Sequence, residues 1–335
     1  MITEIKLIPD IPNELKVAAK KGILIPFIGA GVSQLAGCPG WSGFADKCLE
    51  YHVSKERLNH AQLANIYARQ LNPKVRIALA LNLADKLENP LNFKEILHPN
   101  DRWESHQDGF RIYQALSNLS KNFVTTNYDL WLDSFIPTPL SNITEQEDSS
   151  TSARKSRISI YRPEEIAISL LDKDIETVIH LHGSAIDPEN MLLTTRDYIE
   201  RYSNRNASEV ESPANKTQTF LYHLFHQKNI LFIGYGLDEL EILEYVIQKS
   251  ELENMGRGVT KHFILQPFFS HELDLANDMS DYFKNQCNVT LIPYLRDNKN
   301  YAQLIEVIED FARNISVSPI LNIERQNILK RLLNG

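Results

Sequence analysis

Cysteine is scarce in this sequence. Three occur in 335 residues, Cys38, Cys48 and Cys287, too scattered for a disulfide framework or for a zinc site built from paired cysteines, which fits a reducing compartment. A long uncharged apolar run is also missing, and no basic-then-apolar leader pattern opens the chain. Neither membrane spanning nor secretion is expected, and the expected location is cytoplasmic. Positive charge is short as well: a net charge of -8 argues against a general nucleic-acid binder. There is no G-x-x-x-x-G-K-[ST] stretch, so P-loop nucleotide hydrolysis has no support. The bulk is ordinary, 43% hydrophobic and 23% charged, with room for one large α/β domain or two modest ones.

Short apolar runs of strand character recur at 23–28, 123–125, 177–181, 230–233, 262–265 and 289–292. They alternate with stretches of helical periodicity, the pattern of parallel strands joined by crossover helices. The expected fold class is α/β, a parallel sheet flanked by helices. Helical spacing at 43–51, 56–71, 75–87 and 109–119 is too much for one crossover, so a helical subdomain is expected at about 43–119. Two polar stretches, 141–159 and 203–219, read as loop excursions. Further helices are expected at 239–249, 271–285 and 301–314, with an amphipathic one at 319–333.

Four stretches can carry chemistry. The first apolar run ends in Gly29-Ala30-Gly31-Val32-Ser33, a strand-to-helix turn in which glycines let backbone N–H groups approach a pyrophosphate, with Ser33 available as a helix cap. Gln34 stands where the dehydrogenase fingerprint needs its third glycine, which weakens a hydride-transfer reading. The second, Thr125-Thr126-Asn127-Tyr128-Asp129, puts hydrogen-bonding side chains at the carboxyl edge of the sheet, with Asn127 or Asp129 also able to cap the helix that follows. The third, 177–184, holds His180 and His182 on one strand face. Gly183 ends that strand, which puts His182 at the edge as a general base near neutral pH and leaves His180 as a core hydrogen-bonding residue. The fourth repeats the strand–glycine–helix device at Gly234, Tyr235 and Gly236, with Asp238 and Glu239 suited to ribose hydroxyls. A second close histidine pair, His223 and His226, reads as a polar helix face.

Taken in order, the GAGVS turn, Gly37-x-Pro39-x-Trp41, TTNYD, His182-Gly183-Ser184, Leu193-Thr194-x-x-Asp197-Tyr198 and 232–237 resemble the motifs of the sirtuin superfamily. Specifically, they resemble its bacterial branch of NAD-hydrolysing anti-phage effectors. The resemblance implies a Rossmann-like sheet over 1–315, followed by a C-terminal helix at 316–335. It implies NAD+ as substrate with no metal, and Asn127 and His182 as the essential pair. Gly29, Ala30, Gly31 and Ser33 would cradle phosphates and ribose, Gly234, Tyr235 and Gly236 the adenosine side, with Trp41, Thr126 and Asp129 completing the binding set. It further implies a homo-oligomer, or an activating partner such as a hexameric HerA-like ATPase or a phage component.

Three departures bear on activity. The four-cysteine zinc module of sirtuin deacylases is absent, and Thr126 replaces their glutamine; Trp41 and Ser42 stand where sirtuins carry phenylalanine and arginine. Hydrolysis of NAD+ is therefore expected ahead of protein deacylation or ADP-ribosyl transfer. A non-catalytic NAD or ADP-ribose sensing module is the other alternative.

Overall fold

The computed structural model describes residues 2–88, 90–98, 107–134, 157–172, 176–202, 213–236, 242 and 261–315. Seven parallel strands form one sheet: β1 (Leu24–Ile28), β2 (Asn122–Thr125), β3 (Ile158–Ile160), β4 (Thr177–His180), β5 (Asn229–Ile233), β6 (His262–Phe268) and β7 (Val289–Leu295). Their order is β3-β4-β2-β1-β5-β6-β7. This is a Rossmann-like α/β fold.

Alternation decides which face each residue covers. Leu24 and Ile28 of β1 join Leu231 and Ile233 of β5 in one core, while Ile25 and Phe27 join Ile230 and Phe232 in the other. The first face is covered by α1 (Asn13–Lys20), α7 (Gln107–Leu119) and α12 (Gln303–Ile315), through Leu116, Val307, Ile308 and Phe311 among others. The second is covered by α10 (Pro213–Gln227) and α11 (Leu273–Tyr282), with the shorter α8 (Trp131–Ser134) and α9 (Thr195–Tyr202) preceding them in the chain. Being buried on both sides, the central strands are continuously apolar.

Pro26 in the middle of β1 fits because of register. Asn229 donates to the Ile23 carbonyl and Gly29 donates to the Ile233 carbonyl, so odd-numbered residues bond to β5. The missing proline N–H therefore faces β2, whose pairing with β1 starts only at Phe27.

Between β1 and β2 lie α2 (Ala30–Leu35), α3 (Trp41–Ser54), α4 (His60–Ala68), α5 (Pro73–Lys86), α6 (Phe93–Leu97) and then α7. Helices α3 to α6 bury a third core of their own, through Phe44, Leu49, Leu63, Ile77, Ala80, Phe93 and Ile96. Asn59 and Gln62 form a capping box on α4, and Asn72 caps α5 just ahead of Pro73. Tyr128, Ala185, Met191 and Leu193, from the loops after β2 and β4, belong to that third core, so the helices sit over the carboxyl edge of the sheet. Helix α7 instead packs on the sheet.

Two differences from the sequence reading concern the polar stretches. The end of the first forms β3, a three-residue edge strand too short to show periodicity. The second is helical from residue 213, where α10 begins. Residues 141–156 and 203–212, and the expected helices at 239–249 (apart from residue 242) and 319–333, lie outside the described residues. None of the described helices is long and apolar enough to cross a membrane.

Candidate active site

Strands β4, β2, β1 and β5 are neighbours, and their carboxyl ends open on one cavity of about 520 Å³. That lies inside the range of roughly 300–1,000 Å³ usual for small-molecule sites. Ala30 and Ser33 reach it from β1, Thr126, Asn127 and Asp129 from β2, His182 from β4, and Gly234, Tyr235 and Gly236 from β5. Trp41 and Phe44 of α3, Lys74 of α5 and Leu97 of α6 line it from the helical side.

Gly29 and Gly31 do not line the cavity; they bring its two walls together. A Cβ on Gly29 would stand 2.5 Å from the Gly234 carbonyl oxygen, and one on Gly31 would stand 2.9 Å from the same atom. Gly234 itself has φ +61°, a conformation side chains disfavour. The amides of Gly29 and Gly31 donate to the carbonyls of Ile233 and Gly234, both at 2.9 Å. These two N–H groups, expected to approach a phosphate, are spent on joining the two glycine turns.

Ser33 does not cap α2. Gly29 stands at the N-cap without a side-chain bond, and Ser33, one turn in, donates to Asp129 Oδ2 at 2.5 Å and accepts from Asn127 Nδ2 at 2.7 Å. The other Asp129 oxygen accepts from the Trp131 amide at 3.2 Å, capping the short helix Trp131–Ser134, and from the Tyr113 hydroxyl at 3.4 Å. Asp129 is thus turned inward as an anchor.

Asn127 is held from several sides. Its backbone N–H donates to Thr125 Oγ1 at 3.0 Å, and its side-chain Nδ2 donates to the Gly29 carbonyl at 3.0 Å as well as to Ser33. Its backbone carbonyl accepts from His180 Nδ1 at 2.8 Å. Because the Gly29 carbonyl can only accept, the amide orientation is fixed and Oδ1 is its remaining acceptor.

His180 is the core residue expected. Its Nε2 stands 3.1 Å from both Asp133 carboxylate oxygens, and Ser159 donates to the same carboxylate. Both ring nitrogens face acceptors, so the ring is an imidazolium. Although burial works against the charge, Asp133 raises the His180 pKa, and the pairing lowers that of Asp133.

His182 lies just past the end of β4, so the shared strand face expected for the two rings ends at His180. Its Nδ1 is 3.3 Å from the Tyr198 hydroxyl, and the two rings meet edge-on at 5.0 Å. Burial first, then the positive charges of Arg201 and Lys74, push its pKa down to about 3. It is a neutral imidazole at physiological pH, and it does not titrate near neutrality as the sequence suggested. Gly183 behind it has φ +83°, and a Cβ there would stand 2.4 Å from the Asn190 carbonyl oxygen. The His182 carbonyl accepts from the Leu192 amide at 2.8 Å, so the turn is fixed by the 190–192 segment.

Several lining residues were not singled out from the sequence. Tyr198 belonged to a recognisable motif, but Lys74, Phe44 and Leu97 come from helices without one. Lys74 Nζ sits 3.5 Å from the centre of the Tyr198 ring, a cation–π contact. Cys38 lines the cavity too, but burial and the nearby Asp129 push its thiol pKa far up, so it is no thiolate nucleophile. Asp238 and Glu239 lie outside the described residues. Among the described residues, no cluster of three or more His, Cys, Asp or Glu is placed to hold a metal ion.

A family model described as the SIR2-like domain matches residues 121–292, just over half the chain. The chain belongs to the SIR2-like family. SIR2-like domains use NAD+, and the family is generally enzymatic on it. The matched span runs from β2 through most of β7 and includes Asn127, His182 and Gly234, all three of them on the cavity. A comparison with curated proteins returned no match.

Proposed function

We propose that this SIR2-like protein is an NAD+ hydrolase, releasing nicotinamide and ADP-ribose, and that it serves bacterial anti-phage defence by depleting NAD+. The observation that carries the reading is the pairing, on one cavity, of a fixed carboxamide acceptor with a neutral imidazole. Asn127 Oδ1 accepts from a ribose hydroxyl or from water and holds it against the anomeric carbon. The bond from that carbon to the pyridinium nitrogen breaks with its electron pair going to nitrogen, so nicotinamide leaves neutral. Water oxygen bonds to the anomeric carbon, and its proton passes to His182. The transition state resembles an oxocarbenium ion and asks for orientation and charge stabilisation more than for a strong base. A weakly basic, uncharged imidazole suits that demand.

The cysteines support hydrolysis over deacylation. Cys38, Cys48 and Cys287 are each buried in a different one of the three cores, so they cannot gather into a zinc module. Unrestrained NAD+ cleavage harms the cell that makes the enzyme. Control by homo-oligomerisation, or by a partner such as a hexameric HerA-like ATPase or a phage component, belongs to the same proposal. The test is a time course of NAD+ with purified protein, dilute and concentrated, with the products identified by mass. Nicotinamide with free ADP-ribose supports the reading; ADP-ribose attached to an acyl group or to protein would replace it with transfer, and binding without turnover with sensing.

A further inference from the structure

We propose that Lys74, supplied by the helices inserted between β1 and β2, is the residue that meets the diphosphate of the nucleotide. The inference rests on the NAD+ reading above and adds to it the residue that recognises the substrate's charge. A dinucleotide brings two negative phosphates into the cavity. Among the described residues lining it, Lys74 is the only lysine or arginine. The glycine turn cannot meet this demand with the amides of Gly29 and Gly31, which are bonded to the end of β5.

Lys74 is also positioned. It occupies the first turn of α5, and one half-turn on, Arg76 ties that helix to α3 through Asp46 and through Ser42 Oγ at 2.7 Å. Its ammonium lies over the Tyr198 ring, whose hydroxyl is next to His182. The lysine charge is felt at His182, where it helps to hold the imidazole weakly basic. A phosphate on Lys74 cancels part of that field, so nucleotide binding strengthens the base it is presented to. Helices without a family motif thereby become part of the nucleotide site.

The test is calorimetric binding of ADP-ribose and of adenosine, which carries no phosphate, to wild type, Lys74→Met and Lys74→Arg, at two salt concentrations. Thermal unfolding of each variant checks that the fold is kept. The methionine variant should lose about 10- to 100-fold in ADP-ribose affinity, the scale of a hydrogen bond to a charged group. Its adenosine affinity should be unchanged and its salt dependence reduced, while the arginine variant stays within a few-fold of wild type. Unchanged ADP-ribose affinity in Lys74→Met, or an equal loss for adenosine, would overturn the assignment while leaving the hydrolase reading intact. If the wild type binds neither ADP-ribose nor NAD+, the hydrolase reading itself fails and this inference falls with it.

Discussion

At His180 both ring nitrogens meet oxygens that can only accept, the Asn127 carbonyl and the Asp133 carboxylate. Two residues on, at His182, the neighbours are the Tyr198 hydroxyl and the positive charges of Lys74 and Arg201. Both rings are almost wholly buried, at 0% and 1% exposure, yet one is held charged and the other neutral. Burial alone therefore does not decide the charge of a histidine; the sign of what surrounds it does. The charged ring braces the Asn127 backbone from behind, and the neutral ring is presented to the cavity. The work of the pair is divided between support and chemistry.

The comparison is broken most severely by removing a partner of the charged ring. Asp133→Ala leaves an imidazolium buried without its counter-ion and should cost about 3–5 kcal/mol in denaturant unfolding. His182→Gln, with no ion pair to break, should cost about 1 kcal/mol. Equal losses would mean that the two rings do not differ as described. Gly29→Ala comes next. Its new methyl must displace the Gly234 carbonyl, and about 1–3 kcal/mol of overpacking is expected, with Gly22→Ala as a control where a Cβ would meet nothing within 4 Å, though its positive φ carries its own modest penalty.

A subtler effect lies in the pH dependence of stability, where the two rings act in opposite senses. His180 has a raised folded pKa, so its contribution is complete below its ordinary value of about 6.5 and is lost as pH rises through the raised value. His182 has a lowered one. As pH falls below about 6.5 the unfolded chain takes up a proton there that the folded chain refuses, costing up to about 1.4 kcal/mol per pH unit until pH nears 3. The groups facing it are Lys74, Arg201, Tyr198 and Tyr202; those facing His180 are Asp133 and Asp129. Measured from pH 7 to 5, His182→Gln should therefore gain stability relative to wild type. Parallel curves would contradict the neutral assignment. The kcat/KM for NAD+ cleavage, which reports the free enzyme, should likewise show no acid limb near pH 6.5 from this residue.

Much of the sheet was legible in the sequence because strands buried on both faces are unbroken apolar runs, as at 24–28 and 230–233. β3 was not: it is three residues long, interrupted by Ser159, and at the sheet edge. β6 and β7 run three residues further than their apolar cores suggested, through Gln266, Pro267 and Pro293, because the ladder between them continues where the apolar pattern stops. In the site, Asn127 and His182 could be singled out because strand-end polar residues stand out against apolar runs. The commitment of the Gly29 and Gly31 amides, the inward turn of Asp129 and the low basicity of His182 were not legible, since each depends on a partner distant in sequence. Lys74 had no signal of its own, because a lysine in a helix is ordinary until packing brings it to a cavity.

The most direct measurement compares NAD+ cleavage by wild type, Asn127→Ala and His182→Ala, with ADP-ribose binding followed in the same preparations. The account predicts that both variants fold and still bind ADP-ribose, while cleavage falls by about 10²- to 10⁴-fold, the usual scale for loss of a positioned proton acceptor. Cleavage at the wild-type rate in either variant would contradict it.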